Sequence, residues 1–193
     1  YGEERAQAIF KSLLVRNKAS IRVTDLSRKE EIKAVLEATD SPLAATGLVK
    51  EQGHFAGYDL FAEGAITIQD ESSQLVAPTL DLQGDEQVLD ACAAPGGKTA
   101  HMASYLTSGK VTALDLYDHK LDLIQENAQR LGVADRVQTQ KLDARKVHEF
   151  FGKGSFDKIL VDAPCSGIGL LRRKPDIKYN KETADFASLQ QIQ

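Results

Sequence analysis

The stretch LDACAAPGGKTA, residues 89–100, decides how this chain is read. Its tail GGKT resembles the end of a phosphate-binding loop, which requires a glycine, four residues and then Gly-Lys-Ser/Thr. Counted back from Gly97 and Lys98, that glycine falls at position 92, where Cys92 stands, and Pro95 interrupts the loop. The dinucleotide fingerprint G-x-G-x-x-G fails over the same residues. What remains is a tight strand-to-helix turn whose small residues admit a ligand close to the backbone. The N–H groups near Gly96 and Gly97 favour a carboxylate or another anion, and Asp90 offers an acceptor to an ammonium group. An amino-acid-like group fits that pair better than a triphosphate.

Working outward from the turn, strands and helices alternate. QVLDAC is a short apolar strand, KTAHMASYL a helix, and KVTALDL a second strand. The amphipathic HKLDLIQENAQRLG follows, ended by Gly132. VQTQKLDA reads as a third strand, KVHEFF as a short helix and FDKILVDAPC as a fourth strand ending at a proline. Such alternation predicts an α/β fold whose parallel sheet is covered on both faces. Ligands bind at the carboxyl ends of such strands, where Asp90, Asp115, Asp143 and Asp162 all fall. Asp115 stands roughly 20 residues after the turn, the place of the acid that holds ribose hydroxyls in dinucleotide folds. Asp143 is placed to meet an adenine amino group. A ligand with an amino acid at one end and adenosine at the other is S-adenosyl-L-methionine.

Upstream the pattern differs. SIRVTDL alternates like a strand, SRKEEIKAVLEAT is amphipathic, and LFAEGAITIQD alternates again around Gly64. Ser27 and Glu30 have the spacing of a capping box. Residues 1–82 are therefore expected to form a small α+β domain with a leading helix, and 83–193 the first part of a second domain. The leading helix YGEERAQAIFKSLL puts Ala6, Ile9, Phe10, Leu13 and Leu14 on one face. A start without Met and a finish in the helix-like KETADFASLQQIQ are those expected of a fragment. The 193 residues are 42% hydrophobic and 27% charged, a soluble globular composition. No apolar run is long enough to span a bilayer. Two distant cysteines, Cys92 and Cys165, argue against a disulfide framework and fit a cytoplasmic protein. A net charge of −4 does not by itself attract nucleic acid, so only local patches can.

The fourth strand leads into DAPCSGIG, residues 162–169. Methyltransferases acting on amino groups use an aromatic residue here for stacking; this chain has Cys165. A cysteine suits pyrimidine carbon chemistry. Thiolate addition to cytosine C6 makes C5 nucleophilic, and after methyl transfer loss of the C5 proton expels the sulfur. Asp162 beside the ring would hold N3 and the exocyclic amine and stabilise the adduct.

Together, DACAAPGGKT, DAPCSG followed by RRKPDIK, and the upstream IQDESSQLV resemble the Sun-type (Fmu) family of RNA cytosine-5 methyltransferases. Within it they are most like the bacterial 16S ribosomal RNA methyltransferase B group. The resemblance covers essentially the whole chain. It implies a Rossmann-like, S-adenosyl-L-methionine-dependent core, C-terminally incomplete here, preceded by an RNA-recognition-like domain. It assigns the cofactor loop to Cys92, Ala93, Ala94, Pro95, Gly96, Gly97 and Lys98, the ribose acid to Asp115, the adenine-side acid to Asp143, and the strand-four acid to Asp162. Cys165 corresponds to the cysteine that helps release product, while the family's nucleophile lies in a Thr-Cys-Ser motif expected beyond Gln193. Attack by Cys165 itself is the other chemical option. Cys92 reads as a small packing residue of the loop. Lys98 has three readings: a substrate contact, a partner of Asp162, or a helix start.

LLRRKPDIKYNK places Arg172, Arg173, Lys174, Lys178 and Lys181 just past the base-pocket motif, where they can neutralise phosphates of ribosomal RNA. Tyr179 can stack on a base. The histidines lack metal-ligand spacing, so no metal is expected. The reading is an RNA (cytosine-5)-methyltransferase acting as a monomer on a flipped or unpaired nucleotide, with this fragment itself inactive. The alternative is a cofactor- and RNA-binding protein without turnover.

Overall fold

The computed structural model describes residues 1–15 and 18–193, apart from the side chains of Lys178 and Ala184. The chain divides into two compact units, Ala19–Asp162 and a second formed by Tyr1–Lys18 with Ala163–Gln193. In chain order the first half contains α1 (Glu3–Ser12), β1 (Ala19–Val23), α2 (Lys29–Leu36), β2 (Thr39–Asp40), β3 (Gly47–Lys50), α3 (Asp59–Ala62), β4 (Ile66–Ile68) and α4 (Glu71–Gln74). There follow β5 (Gln87–Asp90), α5 (Gly97–Ala103), β6 (Lys110–Asp115), α6 (Asp118–Arg130), β7 (Val137–Lys141), α7 (Val147–Phe150), β8 (Lys158–Leu160) and α8 (Thr183–Ile192).

The larger unit holds two sheets. The later strands form a parallel sheet in the order β7-β6-β5-β8. Alternate residues of its strands enter separate cores. Val88, Val111, Ala113 and Val137 pack with Ala100, Met102 and Ala103 of α5 and with Ile124 and Ala128 of α6. Leu89 and Leu114 point the other way, onto Leu142, Val147, Phe151 and Phe156. Both faces are thus covered along β5 and β6 and the core is Rossmann-like, as the alternation predicts, while on β8 Ile159, in register with Leu89, is exposed. The fourth strand is shorter than expected, three residues ending at Leu160, and Val161 beyond it is exposed.

The first sheet is antiparallel, in the order β2-β3-β1-β4. Ile21, Val23, Leu48 and Ile66 on one face pack against Ile32 and Leu36 of α2. The other face presents Ser20, Arg22 and Thr67, yet these are buried too. Gln69 and Gln74, from IQDESSQLV, satisfy much of this polar layer. Ser20 Oγ donates to the Gln69 carbonyl at 3.0 Å, and Gln74 Nε2 donates to the carbonyls of Gln69 at 2.9 Å and Ile21 at 3.1 Å. Gly64, with φ +75°, lies against the end of α6, where a Cβ would collide with the Arg130 carbonyl. Only glycine permits that approach.

Three local expectations are corrected. Ser27 and Glu30 form no capping box: Asp25 accepts from the Ser27 amide at 2.9 Å and its hydroxyl at 2.6 Å, and Glu30 pairs with Lys33 at 2.7 Å. An Asx turn two residues upstream takes the groups a box would use. LFAEGAITIQD is half helix: residues 60–62 close α3, and β4 starts only at Ile66. The helix read through EAT stops at Leu36, with Glu37 left-handed at φ 49°.

In the smaller unit, α1 has no buried residue; Phe10 and Leu14 of the expected apolar face are exposed. Helix α8 opens on a capping box of Glu182 and Asp185, and Gln193 Nε2 donates to the Pro164 carbonyl at 2.6 Å.

Candidate functional site

The turn 91–96 leaves β5 across the carboxyl ends of its neighbours. The Ala91 amide donates to Leu160 of β8 and the Ala93 amide to Leu114 of β6, each at 2.9 Å. The peptide before Pro95 is cis. Asn127, on α6, donates to the Pro95 carbonyl at 2.7 Å. Gly96 has φ +97°, and a Cβ on it would stand 3.0 Å from Ile124 Cα, so this helix entry is closed to larger residues. At Gly97 a Cβ would meet nothing within 4 Å, so the backbone is open to a ligand.

The four strand-end carboxylates converge here. All four act on the half-buried Cys92 thiol, whose pKa is raised first by burial and then by Asp90, Asp115, Asp162 and Asp143. A thiol held protonated fits the packing role expected of Cys92. Asp115 is largely buried; its Oδ1 accepts from the amides of Leu116 at 2.7 Å and Tyr117 at 3.3 Å. Its Oδ2 has no hydrogen-bond partner among the described residues, so this oxygen is available to vicinal hydroxyls. Asp143 is gripped by Arg145, Nη2 to Oδ2 at 2.6 Å and Nε to Oδ1 at 2.9 Å. This pair holds its pKa down at about 2, and the carboxylate keeps lone pairs for a further donor. Two of the readings of Lys98 coexist: it stands at the start of α5, and its Nζ meets Asp162 Oδ2 at 2.5 Å, bridging the first and fourth strand ends.

Asp90 departs from its expected role as an ammonium partner. It is 1% exposed, lies beneath the turn and accepts from Thr99 Oγ1 at 2.7 Å. Its Oδ1 is buried without a well-formed hydrogen bond. Burial raises its pKa to about 6, opposed by the Thr99 hydroxyl and the Cys92 backbone and reinforced by the charge of Asp162. It anchors the turn from within. Thr99, Asn127 and Arg145 are site residues that sequence reasoning did not single out. Only Thr99, directly after GGK, carried a signal in the motif.

Cys165 is exposed and belongs to the smaller unit, as does the basic run. Arg172, Arg173 and Lys174 are exposed around the turn that follows Gly167. The Lys178 side chain lies outside the described residues. Among the described residues no group of three or more His, Cys, Asp or Glu is arranged to hold a metal, and no helix is long and apolar enough to cross a membrane.

A parallel sheet in this strand order, with a glycine turn and acids at its carboxyl edge, defines the class of Rossmann-like methyltransferase cores. Residues 77–193 match the family model described as 16S rRNA methyltransferase RsmB/F. The chain belongs to that family. The probable ribosomal RNA small subunit methyltransferase B of Bacillus subtilis (strain 168) is 46% identical over 200 residues, covering 100% of this chain and 44% of its own length. The crystal structure of PH0851 superposes with a TM-score of 0.90 at 31% identity, covering 98% of this chain and 44% of that one. A methyltransferase homolog protein from Pyrococcus horikoshii superposes at 0.75 and 31%, covering 91% and 60%. The chain thus spans less than half the length of the curated relative.

Proposed function

We propose that the protein containing this chain transfers a methyl group from S-adenosyl-L-methionine to cytosine C5 in small-subunit ribosomal RNA. The observation that carries this reading is the convergence of Asp115, Asp143 and the Lys98–Asp162 pair around the turn at Cys92. The residues fit the cofactor: Asp115 Oδ2 for the ribose hydroxyls, Asp143 for the adenine edge, and residues 92–98 for the amino-acid end, approached over Gly97. When bound, S-adenosyl-L-methionine supplies an electrophilic methyl group. Asp162, paired with Lys98, accepts a hydrogen bond from the exocyclic amine of the cytosine. Cys165 assists product release, with the attacking thiolate supplied from beyond Gln193. Residues 1–82 serve as an RNA-recognition-like domain and 83–193 as the first part of the catalytic domain. Arg172, Arg173, Lys174 and Lys178 contact RNA phosphates. The protein works as a cytoplasmic monomer without a metal.

Calorimetry with S-adenosyl-L-methionine tests the site. Asp115→Ala should weaken binding about 10- to 100-fold, the worth of hydrogen bonds to a charged acceptor; equal affinity would refute the ribose assignment. The full-length protein should form 5-methylcytosine in 16S rRNA, read by mass spectrometry of nucleosides. Residues 1–193 alone should form none; turnover by them would promote Cys165 to nucleophile.

A further inference from the structure

The buried face of the antiparallel sheet contains a guanidinium without an anion. Arg22 is 2% exposed, and its Nε donates to Gln69 Oε1 at 2.9 Å. Its terminal nitrogens have no hydrogen bond or ion pair among the described residues. Arg22 lines a cavity of about 220 Å³ together with Thr24, Ser104 and Arg136. The charged and titratable groups that act on Arg22 are Tyr105 and Arg130; no carboxylate is among them. Arg136 spends its Nη donors on the carbonyls of Ala103, Leu106 and Gly132 and adds positive charge. Its one acidic partner, Asp135, is exposed. Beside Arg22, His101 is buried with neither ring nitrogen bonded. A buried cation whose fork of donors has no protein acceptor calls for an anion or ordered water to complete it.

We infer that this cavity is an oxyanion site in which the terminal N–H groups of Arg22 hold a phosphate group, with Arg136 supplying a second positive charge. Arg22 offers the planar, paired donors that match phosphate geometry. The cavity is smaller than a site for a drug-sized ligand and roomy enough for one tetrahedral anion with water. It is lined by the end of β1, by Ala100 on α5 and Ser104 at its end, and by the connection 131–136 that precedes β7, whereas the turn 91–96 lies at the carboxyl ends of the strands. The site is therefore separate from the methyltransferase centre and does not rest on it.

The test is calorimetric titration of the chain with inorganic phosphate, at ionic strength held constant with chloride. One phosphate should bind, about tenfold more weakly in Arg22→Gln and with a smaller loss in Arg22→Lys. If either variant fails to fold, the wild-type chain labelled with ¹⁵N-arginine answers the question: one buried guanidinium's Nη signals should shift as phosphate is added. Heats matching chloride and no shift of a buried guanidinium would overturn the inference and leave water in the cavity. Competition then separates the sources of phosphate. Displacement by a short RNA identifies a backbone phosphodiester, and displacement only by a nucleoside monophosphate identifies a free phosphomonoester.

Discussion

The two polar regions of the larger unit are opposites in charge. At the strand ends, four carboxylates surround one turn; against the antiparallel sheet, Arg22, Arg130 and Arg136 gather with no buried acid among the described residues beside them. Helix α5 connects them, because Thr99 bonds Asp90 and His101 lies beside Arg22. Each region drives one buried group to its neutral form. Asp90, near Asp162, is pushed towards keeping its proton, and His101, near Arg22, towards losing it. In both, burial is the larger cause and the like charge the smaller. Regions built to attract ions of opposite sign therefore leave opposite marks on the pH dependence of folding.

The larger mark is that of His101, whose pKa falls from 6.5 to about 3. An unfolded chain takes up this proton at higher pH than the folded one. The stability linked to His101 is thus complete above pH 6.5 and lost as pH falls towards 3. At about 1.4 kcal/mol per pH unit, the full loss is about 4–5 kcal/mol. His101→Phe keeps a ring against Tyr105, 5.5 Å away in the wild type, and removes the titration. Urea unfolding at a series of pH values should show the variant gaining about 4–5 kcal/mol on the wild type as pH falls from about 7 to about 3. Parallel profiles would break the comparison at its arginine-rich side.

Asp90 gives the reverse sign. Its pKa rises from 3.8 to about 6, so the folded state holds the proton more tightly than the unfolded. The linked stability is complete below pH 3.8 and lost as pH rises through 6, about 3 kcal/mol in all. Asp90→Asn retains an acceptor for Thr99 and removes the charge. Its unfolding free energy should gain about 3 kcal/mol on the wild type between pH 4 and pH 7.5. Between pH 3.8 and 6 the two slopes oppose each other, so each substitution should uncover the other group's profile.

The acidic region was legible from the sequence and the arginine-rich one was not, for a physical reason. Strand ends are marked locally: an apolar run stops, an aspartate follows, and four such stops at the rhythm of a parallel sheet fall on one edge. Arg22 sits in an alternating strand like any outward-facing residue. Its burial depends on Gln69, 47 positions away, and on Arg130, further still. Strands β2 and β3 passed unseen because two and four residues carry too little alternation to register. Asp90 looked like its three counterparts; only packing shows Thr99 drawing it inside. Asn127 was invisible among the polar residues of an amphipathic helix.

Arg130 joins the two regions and offers the smallest of these effects. Its Nη1 donates to the carbonyls of Phe61 at 2.9 Å and Ile66 at 3.2 Å, and its guanidinium lies over the Phe61 ring at 4.1 Å. Its Nη2 donates to Thr67 Oγ1 at 3.2 Å and Asn127 Oδ1 at 3.1 Å. Asn127 in turn donates to the Pro95 carbonyl of the turn 91–96. A continuous path of hydrogen bonds therefore runs from the antiparallel sheet to the site. Arg130→Met keeps the stem against Phe61 and removes every donor, leaving two carbonyls to find water. The expected loss of stability is about 2 kcal/mol. If the path positions the turn, S-adenosyl-L-methionine binding should also weaken a few-fold, and Asn127→Ala should reproduce that loss while leaving the contacts of Arg130 with Phe61 and Ile66 in place. Unchanged cofactor binding in both variants would show that the two polar regions share a helix but act independently.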